Sequence, residues 1–201
     1  MRIYGNAGSG NCLKVKWCAD LLGVPYEWIE TDNFAGATRT DDFLAINPAA
    51  QVPAVVLADG RTLAQSNAIM LHLAEVAKSP LIPSDLYQRA RMYEWLFWEQ
   101  YSHEPAIAVR RALRHFLRKG DDEIDPELWH KGRRALGRME LQLIGSDFLA
   151  GDAFTLADIA LVAYTRVAHE GGFDLSDFPA VHAWVHRVEH ELGLEPAMEA
   201  A

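Results

Sequence analysis

The chain has 201 residues, half of them apolar and 23% charged, proportions of an ordinary folded protein that exclude a disordered or low-complexity chain. Lys and Arg number 19 against 28 Asp and Glu, a net charge of −9, so nucleic acid is not an expected partner. No apolar run approaches the ~20 residues of a membrane-spanning helix, so no membrane partner is expected either.

Arg2-Ile3-Tyr4 reads as a short strand that begins at once, leaving no room for a signal peptide and predicting a cytoplasmic location. A Gly/Ser/Asn loop over residues 5–11 leads into a helical pattern at 12–22, closed by Gly23 and Pro25. Cys12 and Cys18 share that helix; two cysteines cannot build a disulfide framework or a four-ligand zinc site, and no metal is expected. Residues 26–31 alternate polar and apolar as a second strand, completing a βαβ unit with parallel strands and a right-handed crossover. After an irregular stretch, residues 54–57 and 61–64 form an antiparallel hairpin around Asp59-Gly60, a pair suited to a type I′ turn. Residues 66–76 read as a helix, and the two prolines within 78–86 mark a linker. Beyond it the periodicity predicts helices over 87–119, 126–144, 155–170 and 179–192. Thr155-Leu156-Ala157-Asp158 has the form of a capping box, with Phe154 and Ile159 placed as its hydrophobic staple. The organisation expected is an α/β domain at 1–77, a linker at 78–86 and an all-helical domain at 87–201.

Gly8-x-Gly10 with Glu30 twenty residues on has the outline of a dinucleotide fingerprint. Leu13 stands at the third glycine position, however, and the later hairpin leaves no doubly wound sheet. Ser9 and Asn11 flank a helix start, where each is either an N-cap or part of an anion site. Val52-Pro53 precedes a strand, making Pro53 a candidate cis-proline and leaving the Val52 main chain able to pair with an extended peptide-like ligand. Gln65-Ser66 opens the next helix and either caps it or holds a carboxylate. Tyr93, Phe97 and Tyr101 recur every fourth residue, with Trp95 and Trp98 nearby; most are expected in the core, with Trp98 and Tyr101 nearest a cleft. His182, His186 and His190 have metal-compatible spacing but read as a solvated face, as do Arg110, Arg111, Arg114, Arg118 and Lys119.

Taken together the motifs resemble the glutathione transferase family. They are Tyr4-Gly5, Ser9-Gly10-Asn11, Lys14-Val15, Phe43-Leu44, Asn47-Pro48, Gln51-Val52-Pro53, Gln65-Ser66-Asn67-Ala68-Ile69, Leu81-Ile82-Pro83 and Phe154 to Asp158, and they span nearly the whole chain. The resemblance, to a bacterial serine-type branch, implies a thioredoxin-like first domain, an all-helical second domain and a homodimer. It implies glutathione as co-substrate, with no metal, and thiolate attack on an electrophilic apolar small molecule. Ser9, with Asn11, would donate to the glutathione sulfur. Val52 would pair with the tripeptide backbone beside the cis-Pro53, Gln65 and Ser66 would hold the γ-glutamyl end, and Gln51 and Arg39 would reach the glycyl part. Ala7, Trp98 and Tyr101 would line the co-substrate pocket. Two departures matter: Gln65 stands where many members carry an acid, and Cys12 lies three residues past the nucleophile position. Glutathione-dependent disulfide or peroxide reduction and ligand binding without turnover are the alternatives.

Overall fold

The structure, a computed structural model, describes residues 1–197; residues 198–201, the end of the expected helical domain, lie outside them. The chain divides into two compact units, Met1–Ile82 and a second from Pro83 onward.

In the first unit β1 (Arg2–Gly5) leads through α1 (Gly10–Leu21) to β2 (Glu27–Glu30), which runs parallel to β1. Then come α2 (Asp41–Ile46), β3 (Ala54–Val56), β4 (Thr62–Ala64) and α3 (Ser66–Val76). The sheet order is β2-β1-β3-β4, with β3 antiparallel to both its neighbours. This is the thioredoxin-like arrangement. Ile3, Val15, Cys18, Val55, Ile69 and Met70 are fully buried, so the apolar stripes of α1 and α3 close on the sheet.

Two local readings change. The stretch before β3 is not irregular throughout: Thr40 caps α2 by accepting from the Phe43 N–H, with Asp41 and Asp42 in its first turn. The β3–β4 turn is not type I′, because only Gly60 has a positive φ, 85°. The Gly60 N–H bonds to the Leu57 carbonyl at 3.0 Å, giving an ordinary tight turn followed by a left-handed glycine.

The second unit is helical. The helix expected at 87–119 is broken into α4 (Leu86–Trp98), a π-helical turn (Glu99–His103), α5 (Glu104–Arg111) and a second π-helical turn (Ala112–Phe116). Pro105 explains the first interruption, since it has no N–H for the carbonyl one turn back and the wider turn absorbs the loss. There follow α6 (Pro126–Leu143), α7 (Leu156–Thr165) and α8 (Pro179–Glu191). Trp95, Ile107, Leu136, Met139, Ile159 and Trp184 form the centre of this core.

The capping box at the start of α7 is present, and it does more than cap. Asp158 is completely buried. One carboxylate oxygen accepts from the Leu149 N–H (3.0 Å) and the Trp184 indole N–H (2.9 Å), the other from the Thr155 N–H (3.0 Å) and hydroxyl (3.1 Å). Burial pushes this carboxyl up, and those four donors oppose it. The box thereby ties α7 to α8 and to the loop before it.

Candidate functional site

The register of the first unit's sheet brings three chain segments to one end. Tyr4, Ala54 and Ala64 stand side by side on β1, β3 and β4. The chain leaves β1 just past Tyr4, enters β3 just before Ala54 and leaves β4 at Ala64. Hence the Ser9 loop, the Val52-Pro53 dipeptide and the Gln65-Ser66 start of α3 share that edge.

Ser9 holds the N-cap position of α1 with φ −93° and ψ 118°, yet its hydroxyl makes no capping bond. Its carbonyl accepts from the Cys12 and Leu13 N–H groups, and its hydroxyl is in hydrogen-bond contact with the Cys12 thiol. Burial pushes that thiol up, with the Ser9 hydroxyl and the Asn6 main chain pulling it down. Burial outweighs both, so Cys12 keeps its proton near neutrality.

The loop below Ser9 is braced by residues to which the sequence pattern gives no such role. Glu30 lies opposite Gly5 across β1 and β2. Its carboxylate accepts from the Ala7 N–H at 3.1 Å and from the Trp28 indole N–H at 2.8 Å. The Trp28 ring covers Gly5 so closely that a Cβ there would sit 2.4 Å from it. The Asn6 side chain accepts from the Gly8 N–H at 2.7 Å, and its carbonyl accepts from the Ser9 N–H at 3.0 Å. The signal that could have found Glu30 is the parallel βαβ pairing, which places it beside the loop that follows β1.

Asn11 and Ser66 are brought together: the Ser66 hydroxyl donates to Asn11 Oδ1 at 3.0 Å. The N-termini of α1 and α3 thus meet, and their unpaired N–H groups and dipoles concentrate positive potential at one place. Gln65 precedes α3 at φ 70°, ψ 109°, a left-handed geometry that costs a residue with a side chain about 1–3 kcal/mol and that accumulates at ligand sites. The Val52-Pro53 peptide bond is cis. Asn47 donates to the Gln51 carbonyl at 2.7 Å, fixing the approach to Val52. Arg39 ends a short 3-10 turn, Ala37–Arg39, and is exposed. Ala7 is exposed on the Ser9 loop.

Trp98 and Tyr101 lie in the second unit, where they share a cavity of about 450 Å³ with Ser102, Pro105, Lys131 and Arg134, among others. Trp95 is core as expected, whereas Phe97 is 75% exposed and Tyr101 is 87% exposed. The arginine face is a correction. Arg110 and Arg111 are buried, because Arg110 donates to the Gly171 carbonyl (2.8 Å) and Asp121 (2.5 Å), and Arg111 pairs with Glu170. His182 and His186 stack edge to face at 4.7 Å. Among the described residues no group of three His, Cys, Asp or Glu side chains is placed to hold a metal ion.

Comparison with known proteins bears on the fold and the family. The family described as glutathione S-transferase, N-terminal domain, matches residues 8–76, and the corresponding C-terminal domain family matches residues 92–191. The crystal structure of a glutathione S-transferase from Pseudomonas fluorescens Pf-5 is 43% identical, covers 98% of each chain and superposes with a TM-score of 0.92. Mouse glutathione S-transferase theta-1 is 31% identical over all of this chain and 87% of its own. Ure2 proteins are also similar: that of Eremothecium gossypii is 27% identical over 90% of this chain, which spans only 63% of the length of that relative. A Ure2p structure in complex with glutathione is 26% identical, covering 98% of this chain and 90% of its own, with a TM-score of 0.84. The chain belongs to the glutathione S-transferase family.

Proposed function

We propose that this protein binds glutathione at the shared edge of the first unit and stabilises its thiolate for attack on an electrophilic small molecule. Ser9 is the donor to the sulfur, with Asn11 beside it. Val52 pairs its main chain with the tripeptide next to Pro53, Gln65 and Ser66 take the γ-glutamyl end, and Gln51 and Arg39 take the glycyl carboxylate. Trp98 and Tyr101 supply contacts to the electrophile, and Ala7 borders the sulfur on the Ser9 loop. The protein works as a homodimer in the cytoplasm.

The observation that carries this reading is the Ser9 hydroxyl, which stands at a helix N-terminus and is not spent on capping it. A free thiol with pKa near ~8.5 is only a few per cent ionised at neutral pH. Lowering it by about two units takes roughly 2.7 kcal/mol of selective thiolate stabilisation. A hydrogen bond to a charged group contributes about 1.5–3 kcal/mol and a helix N-terminus about 0.3–1 kcal/mol. One hydroxyl and one helix start are therefore sufficient, and no proton need move to the protein: Ser9 stabilises the anion that attacks. A carboxylate at either end of the tripeptide suits the paired starts of α1 and α3, which attract anions.

The test is a conjugation assay with glutathione and a panel of electrophiles, run beside disulfide and peroxide reduction on the same preparation. Conjugation that falls in Ser9→Ala supports the reading. Reduction without conjugation would replace it with a reductase, and glutathione binding with neither activity would replace it with a ligand-binding protein.

A further inference from the structure

The three histidines of α8 share a spacing but not a setting. His182, His186 and His190 stand at i, i+4 and i+8, each one helical turn from the next on one face. His182 and His186 meet, their ring centroids 4.7 Å apart and their planes at 79°. His182 is half-buried, whereas the His186 side chain is 44% exposed. His190 is exposed and sits in the last turn of the helix.

A buried carboxylate stands behind this pair. Glu189 is 2% exposed, and its Oε1 accepts from Arg166 Nε at 2.8 Å and from the Ala197 N–H at 3.0 Å. Its Oε2 is buried with no hydrogen-bond partner among the described residues, and it faces His186 Nδ1 at 3.5 Å. A buried carboxylate oxygen without a donor is costly, so Oε2 favours the His186 tautomer that carries its proton on Nδ1. Nε2, across the ring, then keeps its lone pair. A carboxylate on the far nitrogen is what orients a metal-binding imidazole and makes it more basic. The ring separation fits as well. A metal ~2.0–2.1 Å from one nitrogen of each ring, with the two bonds roughly 90–110° apart, sets the centroids roughly 4.5–5.2 Å apart. The observed 4.7 Å lies within that range.

We propose that His182 and His186 form a surface site for a divalent transition-metal ion of the imidazole-preferring kind, Ni²⁺, Cu²⁺ or Zn²⁺, with Glu189 as the positioning residue behind His186. Among the described residues no third His, Cys, Asp or Glu completes a metal group, so water fills the remaining positions and the site is an open one rather than a closed structural centre. It lies wholly within the second unit and takes no part in the thiol chemistry, so it stands or falls independently of the proposed function.

The experiment is calorimetric titration of the full chain, without glutathione, with NiCl₂ and with MgCl₂ in a non-chelating buffer. Ni²⁺ is expected to bind and Mg²⁺, which prefers oxygen ligands, is not. His182→Ala and His186→Ala should each weaken Ni²⁺ about tenfold or more, and His190→Ala should leave it unchanged. Glu189→Gln should weaken it about tenfold. Because that change also loosens Arg166, Arg166→Gln is the control: it breaks the same contact but leaves Oε2 behind His186, and should bind Ni²⁺ no less tightly than the unmutated chain. Melting temperatures recorded without metal verify that each variant is folded during the titration. No Ni²⁺ binding, equal binding of Mg²⁺, or binding that survives His182→Ala and is lost in His190→Ala overturns the site. A Glu189→Gln affinity equal to that of the unmutated chain overturns the part given to Glu189.

Discussion

At the scale of single residues the account turns on which groups touch the reacting sulfur and which hold those groups still. Ser9→Ala removes one charge-assisted hydrogen bond, worth about 1.5–3 kcal/mol, so kcat/KM at neutral pH should fall roughly tenfold to a hundredfold. The acid limb of the pH–rate profile should move up by about one to two units with it. Glu30→Ala removes the acceptor for Ala7 and Trp28, and kcat/KM should drop roughly three- to tenfold, the value of one or two ordinary hydrogen bonds. Glu30→Gln keeps an acceptor for one of the two donors but sets its amide NH₂ against the other, so it too should lose activity, by no more than Glu30→Ala; a Glu30→Ala variant with unchanged kcat/KM would show that the bracing does not matter. Ser9 was legible in the sequence because a hydroxyl between glycines at a helix start is a local pattern. Whether it caps the helix was not legible, because that depends on the rotation of its side chain toward Cys12. Glu30 was visible as a residue but its role was not, since that role arises only when β2 pairs with β1 and brings position 30 opposite position 5.

At the scale of elements, strands and helices with clean periodicity or strong end signals are the ones the sequence specifies. The helix at Ser66–Val76 and the capping box at Thr155–Asp158 fall where propensity and end chemistry place them. The short helix Asp41–Ile46 was missed because six residues show less than two turns of periodicity, leaving Thr40 and the acids Asp41 and Asp42 after it as its markers. The two π-helical turns were missed because each inserts one residue into a stripe whose apolar pattern continues across it. Arg110 and Arg111 looked solvated for a related reason: their partners Gly171, Asp121 and Glu170 come from elsewhere in the chain. Two stability predictions belong here. Asp158→Asn sets an amide NH₂ against one of two pairs of donors and should cost roughly 3 kcal/mol, against about 1 kcal/mol for Thr155→Ala. In a chain of this size that lowers the melting temperature by roughly 6–12 °C for the first and 2–4 °C for the second. Gly132→Ala is a sharper case, because alanine is the better helix former. A Cβ there would meet the Phe173 ring at 2.2 Å, so differential scanning calorimetry should show destabilisation of roughly 1–3 kcal/mol rather than a gain.

For the molecule as a whole, the thiols report on folding. Burial pushes Cys18 up to about 12 and raises Cys12 as well. Both should resist a thiol reagent at neutral pH in the folded protein and react together once guanidinium unfolds it. The unfolded chain ionises these thiols from about pH 8.5 upward while the folded chain keeps their protons. Stability is therefore full below that pH and falls as pH rises through it toward the folded values, by up to about 1.4 kcal/mol per pH unit for each thiol. A denaturation midpoint that rises between neutral and alkaline pH would contradict this. The central claim, however, concerns a thiol the protein does not own. The most direct measurement is an ultraviolet titration of glutathione bound to the enzyme, following thiolate absorbance against pH in the unmutated protein and in Ser9→Ala. The account predicts ionisation about two units below the free thiol's ~8.5 in the first, and a return most of the way toward that value in the second. A bound thiol that titrates as it does in free solution would contradict it.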